Sequence, residues 1–92
     1  MQKEANIYVL MADGSRGMKI IEITDPLNPV LVGNYTTTTA LGVCSMVLRE
    51  KIYALIADGS AGLKIIEVTN PYSPVLMGSI DTDGFARKVI TK

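Results

Sequence analysis

One stretch occurs twice in this chain, 45 residues apart, and the duplication limits the fold more than any other feature. Residues 57–74 read ADGSAGLKIIEVTNPYSP, and residues 12–29 read ADGSRGMKIIEITDPLNP. Between residues 7–33 and 52–78, 18 of 27 positions are identical, and most others are mild exchanges such as Met18 for Leu63 and Ile23 for Val68. A fixed period of this length marks a repeat architecture. In such folds one supersecondary unit cannot bury its apolar face alone and must stack on its neighbour.

Within the period the signals are those of short strands. Residues 7–12 are apolar, carry β-branched and aromatic side chains, and end at Asp13-Gly14-Ser15. They lack clean alternation, which predicts burial on both faces. Asp13-Gly14-Ser15-Arg16-Gly17 reads as a tight turn, with Asp bonding its own backbone and glycines supplying positive φ. Residues 18–24 give the next strand. Asp25-Pro26-Leu27-Asn28-Pro29 stops it, because two prolines remove two N–H donors. Residues 30–35 form a third strand, and Thr36 to Thr39 a polar bend. A small apolar run at 40–47 and a charged hairpin tip at 48–51 lead back into the pattern at 52–57, 63–69 and 75–80. Asp81-Thr82-Asp83-Gly84 is a turn, and residues 85–91 (FARKVIT) are a last strand-like run. They match Ala40 onward with a one-residue shift. No stretch sustains a 3.6-residue apolar period, so the expected class is all-β. Four strands in about 45 residues is the size of one β-propeller blade, a four-stranded antiparallel sheet.

The repeated run Y-x-L-x-ADGSxGxKIIE-[IV]-T-[DN]-P-x-x-P-V-L-x-G resembles the LVIVD repeat, a propeller-forming repeat of bacterial and archaeal proteins. The resemblance covers residues 7–80 in two copies and extends more weakly to Thr91. It departs at the tips, where the 40–51 hairpin is longer than usual and four threonines replace a turn normally rich in Pro and Gly. The resemblance implies a propeller fold and a structural or binding role rather than a particular chemistry.

Counted as blades, the whole chain is a single unit. Residues 40–81 hold all four strands of one blade, whereas residues 7–36 hold only the second, third and fourth strands of the other. Residues 85–91 then read as a first strand for a neighbouring blade. Two blades cannot close a ring, since propellers have about 4 to 8. The expected outcome is a head-to-tail ring of three or four chains, or a place within a longer propeller, such as an LVIVD-repeat surface protein. Phe85, Val89 and Ile90 on one side and Ile7 and Val9 on the other would make the joint.

The composition removes several function classes. Net charge is zero, there is no basic run, and aromatics are four Tyr and one Phe, which argues against nucleic acid. No apolar run approaches the length of a membrane span. Met1 to Asn6 lead straight into a strand with no signal-peptide core, which leaves export open, since a processed N-terminus carries no trace. There is no His, so the usual general base and the commonest transition-metal ligand are missing. Cys44, the single cysteine, reads as a small buried hydrophobe. No phosphate-loop or Ser–His–Asp pattern occurs.

The candidate ligand-binding residues are Asp81, Asp83, Gly84, Arg87 and Lys88. Asp81 and Asp83 are weak candidates for a divalent cation such as calcium, since hard cations take oxygen ligands; otherwise no metal or cofactor is expected. Arg87 and Lys88 would either attract anions around a central channel or pair with those carboxylates. Asp13 and Asp58 are expected to hold their own turns. Lys19/Glu22 and Lys64/Glu67 are expected to pair between blades or sit solvated at the rim. The reading is a non-enzymatic scaffold that partners itself and binds protein or glycan through a polar loop face. The alternative is a cation-dependent binding or hydrolytic propeller using an Asp81/Asp83 ring.

Overall fold

The structure, a computed structural model, describes residues 6–91. Among them are seven strands and no helix: β1 (Tyr8–Ala12), β2 (Met18–Glu22), β3 (Val30–Tyr35), β4 (Gly42–Leu48), β5 (Lys51–Ala57), β6 (Leu63–Glu67) and β7 (Val75–Ile80). No helix is long and apolar enough to cross a membrane among these residues. β1, β2 and β3 form a three-stranded sheet, and β4 to β7 a four-stranded one, each in chain order. Every pairing is antiparallel. The all-β class is therefore observed, with one sheet of three strands and one of four.

The two repeats fold alike because the same residues solve the same local problems. In the β1–β2 link, Asp13 N–H donates to the Gly17 carbonyl at 2.7 Å, and Asp58 N–H to that of Gly62 at 2.7 Å. Gly14, Gly17, Gly59 and Gly62 all take positive φ, between 56° and 87°, which side-chain-bearing residues rarely adopt. β2 and β6 end two residues before the expected Thr24 and Thr69. The reason is a change of acceptor: the Thr24 and Thr69 hydroxyl oxygens, in place of a backbone carbonyl, accept from Ile7 and Ile52 N–H at 2.9 and 3.0 Å, closing the edge with a side chain. The proline loops close on Asp25 and Asn70, whose side chains accept from Leu27 and Tyr72 N–H. A further identity was not visible in the sequence. Pairing shifts between Ile20 and Ile21, and again between Ile65 and Ile66, leaving Val32 and Met77 as extra residues on the outer strands.

The core lies between the sheets. Met18 and Ile20 of the first sheet meet Ala54, Ile56, Ile66 and Val68 of the second, with Ala40 of the linker among them. Tyr8, Leu10, Ala12, Val32 and Val43 pack around this cluster. Each sheet thus buries one face on the other. The remaining faces are open: Met11 is 45% exposed on the first sheet, and Met77 54% on the second.

Residues 85–91, read as a strand-like run, form no strand here. They make one isolated bridge, Gly59↔Ala86, and no strand pairs with them among the described residues to complete a ladder. The bridge is the counterpart of Gly14↔Ala40, which delivers the chain from the first sheet into β4.

The β4–β5 turn holds two of the three non-glycine residues with positive φ among the described residues. Arg49 and Glu50 both take positive φ, 53° and 68°, the geometry of a two-residue hairpin turn that favours Asn-Gly. Replacing them by Asn-Gly is expected to raise stability by about 1 kcal/mol. A urea-unfolding midpoint equal to or below that of the unmodified chain would show that the turn is not strained.

Candidate functional site

The chemistry-bearing residues collect where the strand links of each sheet meet the linkers between sheets. Asp58 stands at the centre. It opens the β5–β6 link, and its side chain is fully buried. One carboxylate oxygen, Oδ1, accepts from Thr39 N–H at 2.8 Å, and Oδ2 accepts from Thr38 N–H at 3.3 Å. Lys64 Nζ lies 3.3 Å from Oδ2 and also approaches the Ala61 carbonyl. The Thr37 hydroxyl is buried nearby and adds to the local field, although its oxygen finds no hydrogen bond of good geometry. Burial pushes this carboxyl up. The Thr39 N–H, the Thr37 hydroxyl, the Thr38 N–H and the Lys64 ammonium together outweigh burial and hold it below the ordinary 3.8.

This differs from the expected role. Asp58 does not brace its own turn with its side chain; it ties down the linker that brings the chain from β3 to β4. Asp13, at the equivalent place, has a different environment. Its side chain is 44% exposed, its one ionic partner among the described residues is Lys19 at 3.8 Å, and no backbone N–H donates to it. The lysines also depart from expectation. Lys19 and Lys64 serve the link of their own sheet, Lys19 donating to the Arg16 carbonyl at 2.9 Å. Glu67 pairs with Lys51 at 3.6 Å, again within one sheet, and Glu22 accepts from the Thr24 hydroxyl.

The five candidate ligand residues lie together on the segment after β7, and each is exposed. Asp81 Oδ1 accepts from Asp83 N–H at 2.9 Å, so this carboxylate closes its own turn. Asp83 has φ 65°, and Gly84 has open space around it. Arg87 stacks over the Phe85 ring, 5.4 Å from its centroid. Neither Arg87 nor Lys88 pairs with Asp81 or Asp83 among the described residues, and no group of three metal-ligating side chains forms there. Of the candidate assembly residues, Phe85 and Ile90 are exposed at 54% and 64%, Val89 is half-buried, and Val9 lies on β1 just after Ile7.

Two features went unnoticed in the sequence. Between the sheets is a cleft of about 370 Å³, walled by Tyr8, Leu10 and Ile20 on one side and Val43, Cys44 and Ser45 on the other. Cys44 is accordingly half-buried at a cleft wall rather than buried in the core. Near its end Gly33 faces the loop after β6, where an added Cβ would collide with the Pro71 carbonyl oxygen. Neither had a signal in the sequence, since Gly33 and Gly78 are identical there and differ only in surroundings.

A family model described as the LVIVD repeat matches residues 6–37 and again residues 43–82. No curated protein and no solved structure shows a match to the chain.

Asp58→Ala should cost about 3 kcal/mol, because two N–H groups in part-buried hydrogen bonds and a half-buried ammonium lose a charged acceptor. Urea unfolding at neutral pH measures it, and a loss under roughly 0.5 kcal/mol would disprove the clasp. The folded-state pKa lies below the unfolded one, so the stabilisation is complete above 3.8 and is lost as pH falls below it. The unmodified chain should therefore weaken from about pH 5 toward pH 2, and Asp58→Ala should weaken less over that range.

Proposed function

The chain belongs to the LVIVD repeat family, and from that premise we propose that it is a two-blade propeller unit that closes a ring by head-to-tail assembly and acts as a non-enzymatic scaffold. One observation carries the reading. The Gly59↔Ala86 bridge repeats Gly14↔Ala40, so the segment after β7 leaves the second sheet as the linker into β4 leaves the first. Arg87 and Lys88 then run against Gly42 of β4, with the Arg87 carbonyl oxygen 2.8 Å from the place a Gly42 Cβ would take. We read this as the course of a further innermost strand, with no strand paired to it among the described residues. β1, conversely, has only β2 as a neighbour among the described residues. Three chains would supply six blades and four would supply eight, both within the range of closed propellers.

The exposed apolar surface supports the same reading. Met77 and Ile80 on β7, with Phe85 and Ile90 after it, are all more than half exposed. Surface of this kind marks an interaction site. Assembly leaves the linker face on the outside of the seam. That face carries Ser15, Arg16, Ser60, Asp81 and Thr82, all exposed, and suits a protein or glycan that reads hydroxyls and carboxylates.

Solution mass tests the proposal. Light scattering should give a species of three or four 9.9 kDa chains. Deleting residues 85–92 should return it to the mass of one chain. A stable monomer of the full chain would overturn ring closure and leave it as two blades of a longer array.

A further inference from the structure

The chain carries its own control for what its open surfaces take, because each position on them has an equivalent at the internal joint. Asp58 is fully buried and receives two linker N–H groups, whereas Asp13 is 44% exposed and receives none among the described residues. The Cβ position of Gly59 has the Thr39 Cβ within 3.3 Å, while Gly14 has nothing within 4 Å. Gly33 is pressed by the Pro71 carbonyl, and its equivalent Gly78 has nothing within 4 Å. Met18 and Ile20 are fully buried, and their equivalents Leu63 and Ile65 are half-buried. The reverse holds on the other face, where Ile56 is fully buried and Met11 is 45% exposed. Both open faces thus keep the residues of the internal joint; on the second sheet Leu55 and Ala57 are already buried, while Leu63, Ile65 and Met77 lack the cover their equivalents have.

We propose that the second sheet receives the first sheet of a second copy of this chain in the register of the internal joint, with Asp13 of that copy accepting the Gly84 and Phe85 N–H groups and Ile90 entering its cleft. This rests on the ring-closure reading and specifies its contacts. The register follows from the chain itself. Ala86 takes the place of Ala40, so Gly84 and Phe85 take the places of Thr38 and Thr39, the donors to Asp58. β4 pairs Gly42 with Ala57, Val43 with Ile56 and Cys44 with Leu55. The same offsets pair Lys88 with Ala12, Val89 with Met11 and Ile90 with Leu10 of the second copy.

Directly opposed residues project to one face of a sheet, so Ile90 falls on the side of Leu10. Leu10 is a wall of the 370 Å³ cleft, which gives this 64%-exposed isoleucine an apolar seat. Lys19 stands by Asp13 much as Lys64 stands by Asp58, at 3.8 against 3.3 Å, so the clasp is set before its linker arrives. On the other side of the joint, Pro26 of the second copy takes the role of Pro71 and comes to rest on Gly78.

Three variants test this. Gly78→Ala meets open space in the single chain, so it should keep the fold and raise the dissociation concentration of the assembly at least tenfold. Asp13→Ala should weaken assembly by about tenfold, the loss of a charged acceptor for two N–H groups. In a Cys44→Ser background, Met11→Cys with Val89→Cys should give chains linked to one another by disulfides. Val9→Cys with Val89→Cys, two residues out of register, should not. Circular dichroism checks that each variant retains its sheets. If the unmodified chain assembles but Gly78→Ala and Asp13→Ala leave its mass unchanged, or the out-of-register pair links as well, the proposed joint is wrong while ring closure stands. A monomeric unmodified chain overturns both.

Discussion

The buried carboxylate of Asp58 is the constraint on which the arrangement of the two sheets depends. It sits in a link of the second sheet but spends both oxygens on the backbone of the linker that arrives from the first. An ionised group taken out of water is tolerated only when paired and hydrogen-bonded, and here two N–H groups and the Lys64 ammonium meet that condition. The linker is thereby fixed at Thr38 and Thr39, Ala40 is set against Gly14, and β4 begins at a defined height beside β5. Sheet stacking follows from this, since Met18 and Ile20 face Ile56 and Ile66 only when the linker holds this course.

Stacking also commits carboxylates of the acidic links to structure. Asp58, whose carboxyl is held below its ordinary range, is buried and committed to structure, and Asp81 closes its own turn. A perturbed pKa often marks a functional site, but an ion-pair network that holds a fold perturbs pKa values as well. The chemistry of this chain is directed at backbone, its own and, in the proposed ring, that of a second copy. The polar residues left over on the linker face are exposed, as the proposed recognition surface requires.

Much of the fold was legible in the sequence, because a strand's existence follows from local features. Residues 30–35 match β3 in full, and the other strands fall within two residues of their expected ends. Turn glycines were legible too, since positive φ is a property of one residue. The misreadings concern partners. Thr24 and Thr69 end their strands by accepting from an isoleucine N–H 17 residues away. Asp58 reaches 19 residues back to Thr39 rather than into its own turn. Val32 and Met77 slip out of register, although nothing in Val-Leu-Val-Gly or Val-Leu-Met-Gly announces a bulge.

By itself the sequence determined that the chain is two copies of one antiparallel unit, with short strands ended by Asp-Gly links and proline loops. Those are local consequences of φ preference, missing N–H donors and apolar runs. It also determined that the copies are nearly identical, and so gave no means of telling Asp13 from Asp58 or Gly78 from Gly33. The tertiary structure decided that difference. In a stack of two, each sheet has a neighbour on one face, so identical residues become a buried clasp in one repeat and an open one in the other. Burial belongs to a position in the stack, not to the residue that occupies it.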